Sequence, residues 1–159
     1  MPGSIIIRSA SADDAPALAA LNAHVQSLHV NGRPDRFRQP GAGEVEDWFR
    51  ARLAEPHVEA WIAEAEAGPV GYALVMARER PSTPFSLALR SFEIDQLAVV
   101  PAARCGGIAR ALVGHVRASA RAAGASELIL NCWVFNVDAH AAFRRMGLRP
   151  DAVRYAMVP

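Results

Sequence analysis

The stretch Val99-Val100-Pro101-Ala102-Ala103-Arg104-Cys105-Gly106-Gly107-Ile108-Ala109 holds the residues best suited to grip an anion. Two adjacent glycines let backbone amides converge on one point. A helix opening at Ile108 would add unpaired N–H groups and a positive dipole end. Arg104 supplies a charge-assisted contact. The spacing is neither Gly-x-Gly-x-x-Gly nor a Walker loop, since no Gly-Lys-Ser/Thr follows. Just upstream, Glu93 and Asp95 stand two apart in an apolar run. Two such carboxylates share a strand face if no bulge intervenes, and either could accept a proton directly or through water.

The elements that must position these groups follow from periodicity. Residues 5–8 read as a short strand. Ser11 caps a helix with Asp13 and Asp14 in its first turn and Leu18, Leu21, Val25 and Leu28 on one stripe, ending near Asn31-Gly32. A loop spans 33–43 and a second helix 44–53. Residues 58–64 and 70–78 flank Ala67-Gly68-Pro69 as a hairpin. A strong strand covers 91–100. A long helix runs from Ile108 to about Ala123 and stops at Gly124. A strand at 128–133, a short helix at 138–146 closed by Gly147, and a final strand at Tyr155–Val158 complete the order β-α-α-β-β-β-α-β-α-β. This is an α/β fold, a mixed sheet flanked by helices.

Length sets a single domain, residues 4–159 of 159, with a core that needs no staple. The two cysteines, Cys105 and Cys132, suggest no disulfide framework. No signal peptide is read at Met1–Ser4 and no membrane span anywhere, so a cytoplasmic protein is expected. His24, His29 and His115 lack metal-ligand spacing, and no metal is expected. All 17 bases are arginine against 16 acids, and the net charge of +1 disfavours a nucleic-acid partner. The charge is split, however. Residues 1–96 carry nine arginines and thirteen acids, whereas residues 97–159 carry eight arginines and three acids.

Arg104-x-x-Gly107-x-Ala109 resembles the Arg/Gln-x-x-Gly-x-Gly/Ala signature of the GCN5-related N-acetyltransferase (GNAT) superfamily. The strand Asp95–Val99 before it, the helix after it, Asn136-Val137-Asp138-Ala139, and Ala142–Leu148 (similar to Phe-Tyr-x-x-Leu-Gly-Phe) follow in family order. The resemblance is strong over residues 91–149. It implies the GNAT fold, with a mostly antiparallel central sheet in which two parallel strands splay apart. It also implies a transferase that moves acetyl from acetyl-CoA to a primary amine by direct attack. Leu97, Ala98 and Val99 would meet the pantetheine arm, and a backbone N–H near Val99 would meet the oxyanion. Arg104, Cys105, Gly106, Gly107, Ile108 and Ala109 would hold the pyrophosphate, with Arg110 near the 3′-phosphate. Asn136 would bond the pantetheine arm.

Asp95 ranks ahead of Glu93 as the base, because many relatives carry an acid there. Phe143 departs from the family. It aligns with a tyrosine that gives a proton to the leaving thiolate, and phenylalanine has none to give. Cys132 and Tyr155 are conceivable substitutes, and a cofactor-binding homologue of low turnover is the alternative reading. The loops that wall the acceptor pocket in relatives correspond to His29, Asp35, Phe37 and Phe85. The His29, Pro34, Asp35, Phe37 pattern is similar to that of a bacterial subgroup. The basic second half coincides with the cofactor half, and the acidic first half with the expected amine side. Dimers are common in the family, which leaves room for a homodimer.

Overall fold

A computed structural model describes residues 4–41 and 43–159. Met1–Gly3, and Ala42 within the expected 33–43 loop, lie outside the described residues. Among the described residues the sheet has five strands in the order β1-β2-β3-β4-β5. They are β1 (Ile6–Ser9), β2 (Val58–Ala65), β3 (Gly68–Arg80), β4 (Leu89–Val99) and β5 (Glu127–Leu130). The helices are α1 (Ala15–Gly32), α2 (Glu44–Leu53), α3 (Ile108–Ala122) and α4 (Val137–Arg145). The first four strands pair antiparallel in chain order, and β5 joins β4 in parallel after the α3 crossover. This is the GNAT fold.

Strand alternation divides the core into two layers. Ala73, Val75, Phe92 and Ile94 pack with Ile108, Leu112, Val113 and Val116 of α3. Ala60, Ile62, Tyr72, Leu74 and Ala98 face the other way, against Ala15, Leu18 and Leu21 of α1 and Phe49 of α2. Helix α3 buries one stripe, which leaves Arg110, Arg117 and Arg121 exposed.

Two local features shape the site. First, Leu74 pairs with Gln96 and Val75 with Ile94, so Asp95 is the extra residue of a β-bulge. Second, β5 pairs with β4 only from Ser91↔Glu127 to Ile94↔Leu130. Beyond Ile94, β4 continues to Val99 with no neighbour on that edge among the described residues, and the parallel strands part.

The last expected strand does not form. Residues 149–159 carry neither helix nor strand, and each is exposed. Alternating apolar residues favour an extended chain, but a strand also needs a neighbour to pair with.

Candidate active site

The mouth of the parted strands meets the loop from Pro101 to Gly107. Residues Pro101–Ala103 form one 3₁₀ turn, after which Cys105 (φ 64°) and Gly107 (φ 82°) both adopt the left-handed conformation. That geometry turns successive amides inward, as in an anion nest. Among the described residues, the N–H groups of residues 105–110 find no backbone acceptor; the first intrahelical bond runs from Ala111 N–H to Gly107 O at 2.9 Å. Six donors therefore cluster at the start of α3, where the dipole also favours an anion.

Neighbouring residues fix this loop. The Val100 N–H donates to Val70 O at 2.9 Å. By alternation the backbone groups of Leu97 and Val99 point to the opposite, unpaired edge. Val99 O lies there and accepts from Arg104 Nε at 3.2 Å. The glycine at 71 is required by contact, because a Cβ there would lie 2.8 Å from Ala98 O and 3.3 Å from Ile108 Cγ2. Arg110 Nη2 donates to Arg145 O at 3.1 Å and so ties α3 to the C-terminal end of α4. Asn136 caps α4, its Oδ1 accepting from Ala139 N–H at 3.3 Å. The Asn136 amide nitrogen keeps its protons for another acceptor.

The carboxylates differ in setting. The bulge falls at Asp95 itself; Gln96 lies toward the α1/α2 layer, where it meets Asn22 and Tyr72. Both oxygens of Glu93 are engaged, Oε2 by Arg78 Nε and Oε1 by Asn131 Nδ2, each at 3.0 Å. Among the described residues Asp95 has no such partner. It is an exposed residue, yet desolvation by the surrounding protein pushes its pKa up. The Glu93 charge adds to the rise, while the charges of Arg52 and Arg78 oppose it.

Next to the bulge lies a cavity of about 410 Å³ whose walls include Asn22, Gln26, Arg36, Phe37, Trp48 and Gln96. Asn22 and Gln96 of its wall join the fully buried Tyr72 in a polar triad. Tyr72 Oη donates to Gln96 Oε1 at 2.6 Å, and Asn22 Nδ2 donates to Tyr72 Oη at 3.0 Å. Nothing in the local sequence marks Asn22 and Tyr72 as neighbours of a cleft. Gln96 carried a weak signal, a polar residue in an apolar strand.

Of the expected pocket residues, Phe37 lines the cavity. His29 stacks on Phe37 with ring centroids 5.0 Å apart, and burial lowers its pKa. Phe37 meets Trp133 edge-on at 5.4 Å, and Trp133 stacks on Phe135. Trp133 and Phe135 join α1 and the loop after it to the segment after β5. Trp48 is 39% exposed. Asp35 is held in a bidentate pair by Arg33 and does not line the cavity. Phe85 is 97% exposed on the 81–88 loop, apart from that cavity.

The acids of the first half are largely matched by their own arginines. Asp14 and Glu64 pair with Arg8, Glu44 with Arg38, Glu55 with Arg52 and Glu79 with Arg90. The sequence-level charge split therefore does not produce a bare acidic cleft.

Among the described residues no three metal-ligating side chains converge, and no helix is long and apolar enough to cross a membrane. A sheet parted beside an amide-rich helix start defines the acetyltransferase (GNAT) class of α/β proteins. The sequence model of the acetyltransferase (GNAT) family matches residues 22–148, and the chain belongs to that family, whose members use acetyl-CoA. No curated protein sequence matches it significantly. Solved structures share the fold. A tetramutant of the BH1408 protein of Bacillus halodurans is 22% identical, with a TM-score of 0.92 over 97% of this chain and 99% of that one. A ribosomal-protein-alanine N-acetyltransferase from Brucella melitensis biovar Abortus is 22% identical, with a TM-score of 0.76 over 98% and 99%. The aminoglycoside N-acetyltransferase AAC(6')-Iy, solved with CoA, is 15% identical, with a TM-score of 0.79 over 99% and 97%.

Proposed function

We propose that this protein transfers acetyl from acetyl-CoA to a primary amine on a small molecule or a protein. The observation that carries this reading is the set of unpartnered N–H groups at residues 105–110, set beside the open edge of β4. The amides from Cys105 to Ala109 hold the pyrophosphate, with Arg104 at the rim. The pantetheine arm lies along Leu97–Val99 as an added strand. Asn136 donates its free amide proton to that arm.

The acceptor enters from the cavity walled by Phe37, Trp48 and Gln96. Asp95 takes a proton from the ammonium, directly or through water, because a raised pKa suits a base working near neutrality. The neutral nitrogen attacks the thioester carbonyl, and the Val99 N–H receives the developing oxyanion. The C–S bond breaks, CoA leaves as a thiolate, and the surplus proton on the new amide nitrogen passes through water to that thiolate. No side-chain acid attends that step. Phe143 has no proton, burial pushes the Cys132 thiol up, and Tyr155 is 91% exposed.

That missing acid favours a second reading, an acetyl-CoA binder of low turnover. Thermal unfolding with acetyl-CoA tests cofactor binding, since a ligand at about 100 times its Kd adds about 2.7 kcal/mol of stability. An unchanged Tm at saturating cofactor overturns both readings. Thiol release across amines, aminoglycosides and peptides then separates enzyme from binder.

A further inference from the structure

The loop after α1 carries three arginines within six residues, Arg33, Arg36 and Arg38. Two of them are matched. Arg33 forms a bidentate pair with Asp35, its Nε and Nη2 each 2.8 Å from a carboxylate oxygen. Arg38 does the same with Glu44, at 3.0 and 2.9 Å. Arg36 has neither an acid partner nor a side-chain hydrogen bond among the described residues. Its guanidinium instead lies over the Trp133 ring, 5.2 Å from the centroid. A ring face holds a guanidinium by its charge and leaves the N–H edge free for an oxyanion. The backbone around it is also held. The Arg36 and Phe37 N–H groups both donate to Arg33 O at 3.0 Å, and Gln26 Nε2 of α1 donates to Arg38 O at 2.8 Å.

Arg36 stands in the wall of the cavity of about 410 Å³. The other charged groups of that wall are Arg38 and Glu44, and these neutralise each other. Glu44 also accepts from the Gly41 N–H. The lining therefore carries one uncompensated positive charge and no free carboxylate. Phe37, Val45 and Trp48 give it an apolar side, and Gln96 joins it to Asp95 at the bulge. Such a lining repels a polycation and suits an amine whose apolar body also carries an anion. Small-molecule sites span about 300–1,000 Å³, and this cavity lies toward the small end.

We propose that the acceptor is a low-molecular-weight amino acid, an amine joined through an apolar body to a carboxylate, and that Arg36 binds that carboxylate. The proposal rests on the acetyl-transfer reading of the same cleft. The ammonium is directed toward Asp95 and the carboxylate toward Arg36, whose planar fork meets both oxygens. Arg36 selects and orients the acceptor and takes no part in proton transfer.

Thiol release from acetyl-CoA by the full chain tests this with matched acceptors: phenylalanine against phenylalaninol, and aminohexanoate against aminohexanol, with an aminoglycoside as the polycation. Each pair keeps the amine and the apolar body and differs in the carboxylate. At least one acid should exceed its alcohol in kcat/KM. Arg36→Gln should erase that preference, a loss of about 10–100-fold for the acid, mainly in KM, and Arg36→Lys should restore part of it. Alcohols used as well as both acids, or an aminoglycoside used better than either, overturn the proposal and leave acetyl transfer standing. So does an Arg36→Gln protein that loses the acetyl-CoA effect on Tm, which would place Arg36 on the cofactor. Calorimetry on the CoA-loaded protein separates the two ideas. Binding of an acid by the parent and not by Arg36→Gln, with no thiol release from any amine, overturns acetyl transfer and leaves the carboxylate site standing. Neither binding nor release overturns both.

Discussion

The Tyr72 hydroxyl donates to Gln96 Oε1 at 2.6 Å, directly beside the point where β4 gains its extra residue. Tyr72 is fully buried, and desolvation pushes its pKa well above the ordinary phenol value. The hydroxyl therefore stays protonated and pins Gln96 in the wall of the cavity. Tyr72→Phe removes one bond from the Gln96 carbonyl and one from the Asn22 amide, which still bond each other at 3.2 Å. The expected cost is about 0.5–1.5 kcal/mol, read as a lower denaturant midpoint with an unchanged m-value.

Asp95→Asn should lower kcat/KM by about 10²–10⁴ if it removes the general base. The pH–rate profile of the parent should show an acid limb above the ordinary aspartate pKa, and the variant should lose that limb. The stability effect has the opposite sign. A carboxyl whose folded pKa is raised penalises the native state once pH passes its unfolded value. At neutral pH the variant should therefore melt no lower than the parent. A loss of activity accompanied by a large loss of Tm would refute the assignment.

Glu93→Gln should behave differently. Its carboxylate is held by Arg78 and Asn131, so the substitution weakens the fit between β3, β4 and the segment after β5. Expected is a lower Tm, with the pH limb assigned to Asp95 retained. An abolished limb in this variant, with Asp95 intact, would move the base to Glu93.

Gly71→Ala and Gly107→Ala separate contact from conformation. At Gly71 the new methyl meets Ala98 O and Ile108 Cγ2, so β4 and the loop must shift. Acetyl-CoA should then lose most of its effect on Tm. At Gly107 the surroundings are open but φ is +82°. The cost there is about 1–2 kcal/mol of backbone strain, with a smaller loss of cofactor affinity.

Acid should weaken the junction between β1 and α1. Arg8 hydrogen-bonds Asp14 and holds its carboxyl below the usual range. A depressed folded pKa gives stability above the unfolded value, about 3.9 for aspartate. It is lost as pH falls through the folded pKa. Asp14→Asn should flatten the stability curve below pH ~4 compared with the parent.

The sequence carried the helices and the anion loop because each has a local cause. Helix α3 has one apolar stripe, and glycines at 106, 107, 124 and 147 punctuate the chain where turns are needed. The bulge at Asp95 was not legible, since no glycine or proline marks it and it is defined only by the pairing of β4 with β3. The places of Trp133 and Phe135 were not legible either, because their partners, His29 and Phe37, lie about a hundred residues away. The strand at 155–158 failed for a related reason: alternation states a preference, and only a neighbouring edge can satisfy it.

The parting of β4 from β5 gives the sheet unequal compliance along its length. Up to Ile94, β4 is held on both sides; beyond it, β4 is held by β3 alone. Thermal fluctuation should therefore widen the mouth while the end near Ser91 keeps its spacing. Gly71, tight against Ala98 O, damps the β4 side. Most of the breathing then falls to the arm of residues 131–136, which is held by the Asn131–Glu93 hydrogen bond and the edge-on contact of Phe135 with His29 of α1 rather than by a ladder.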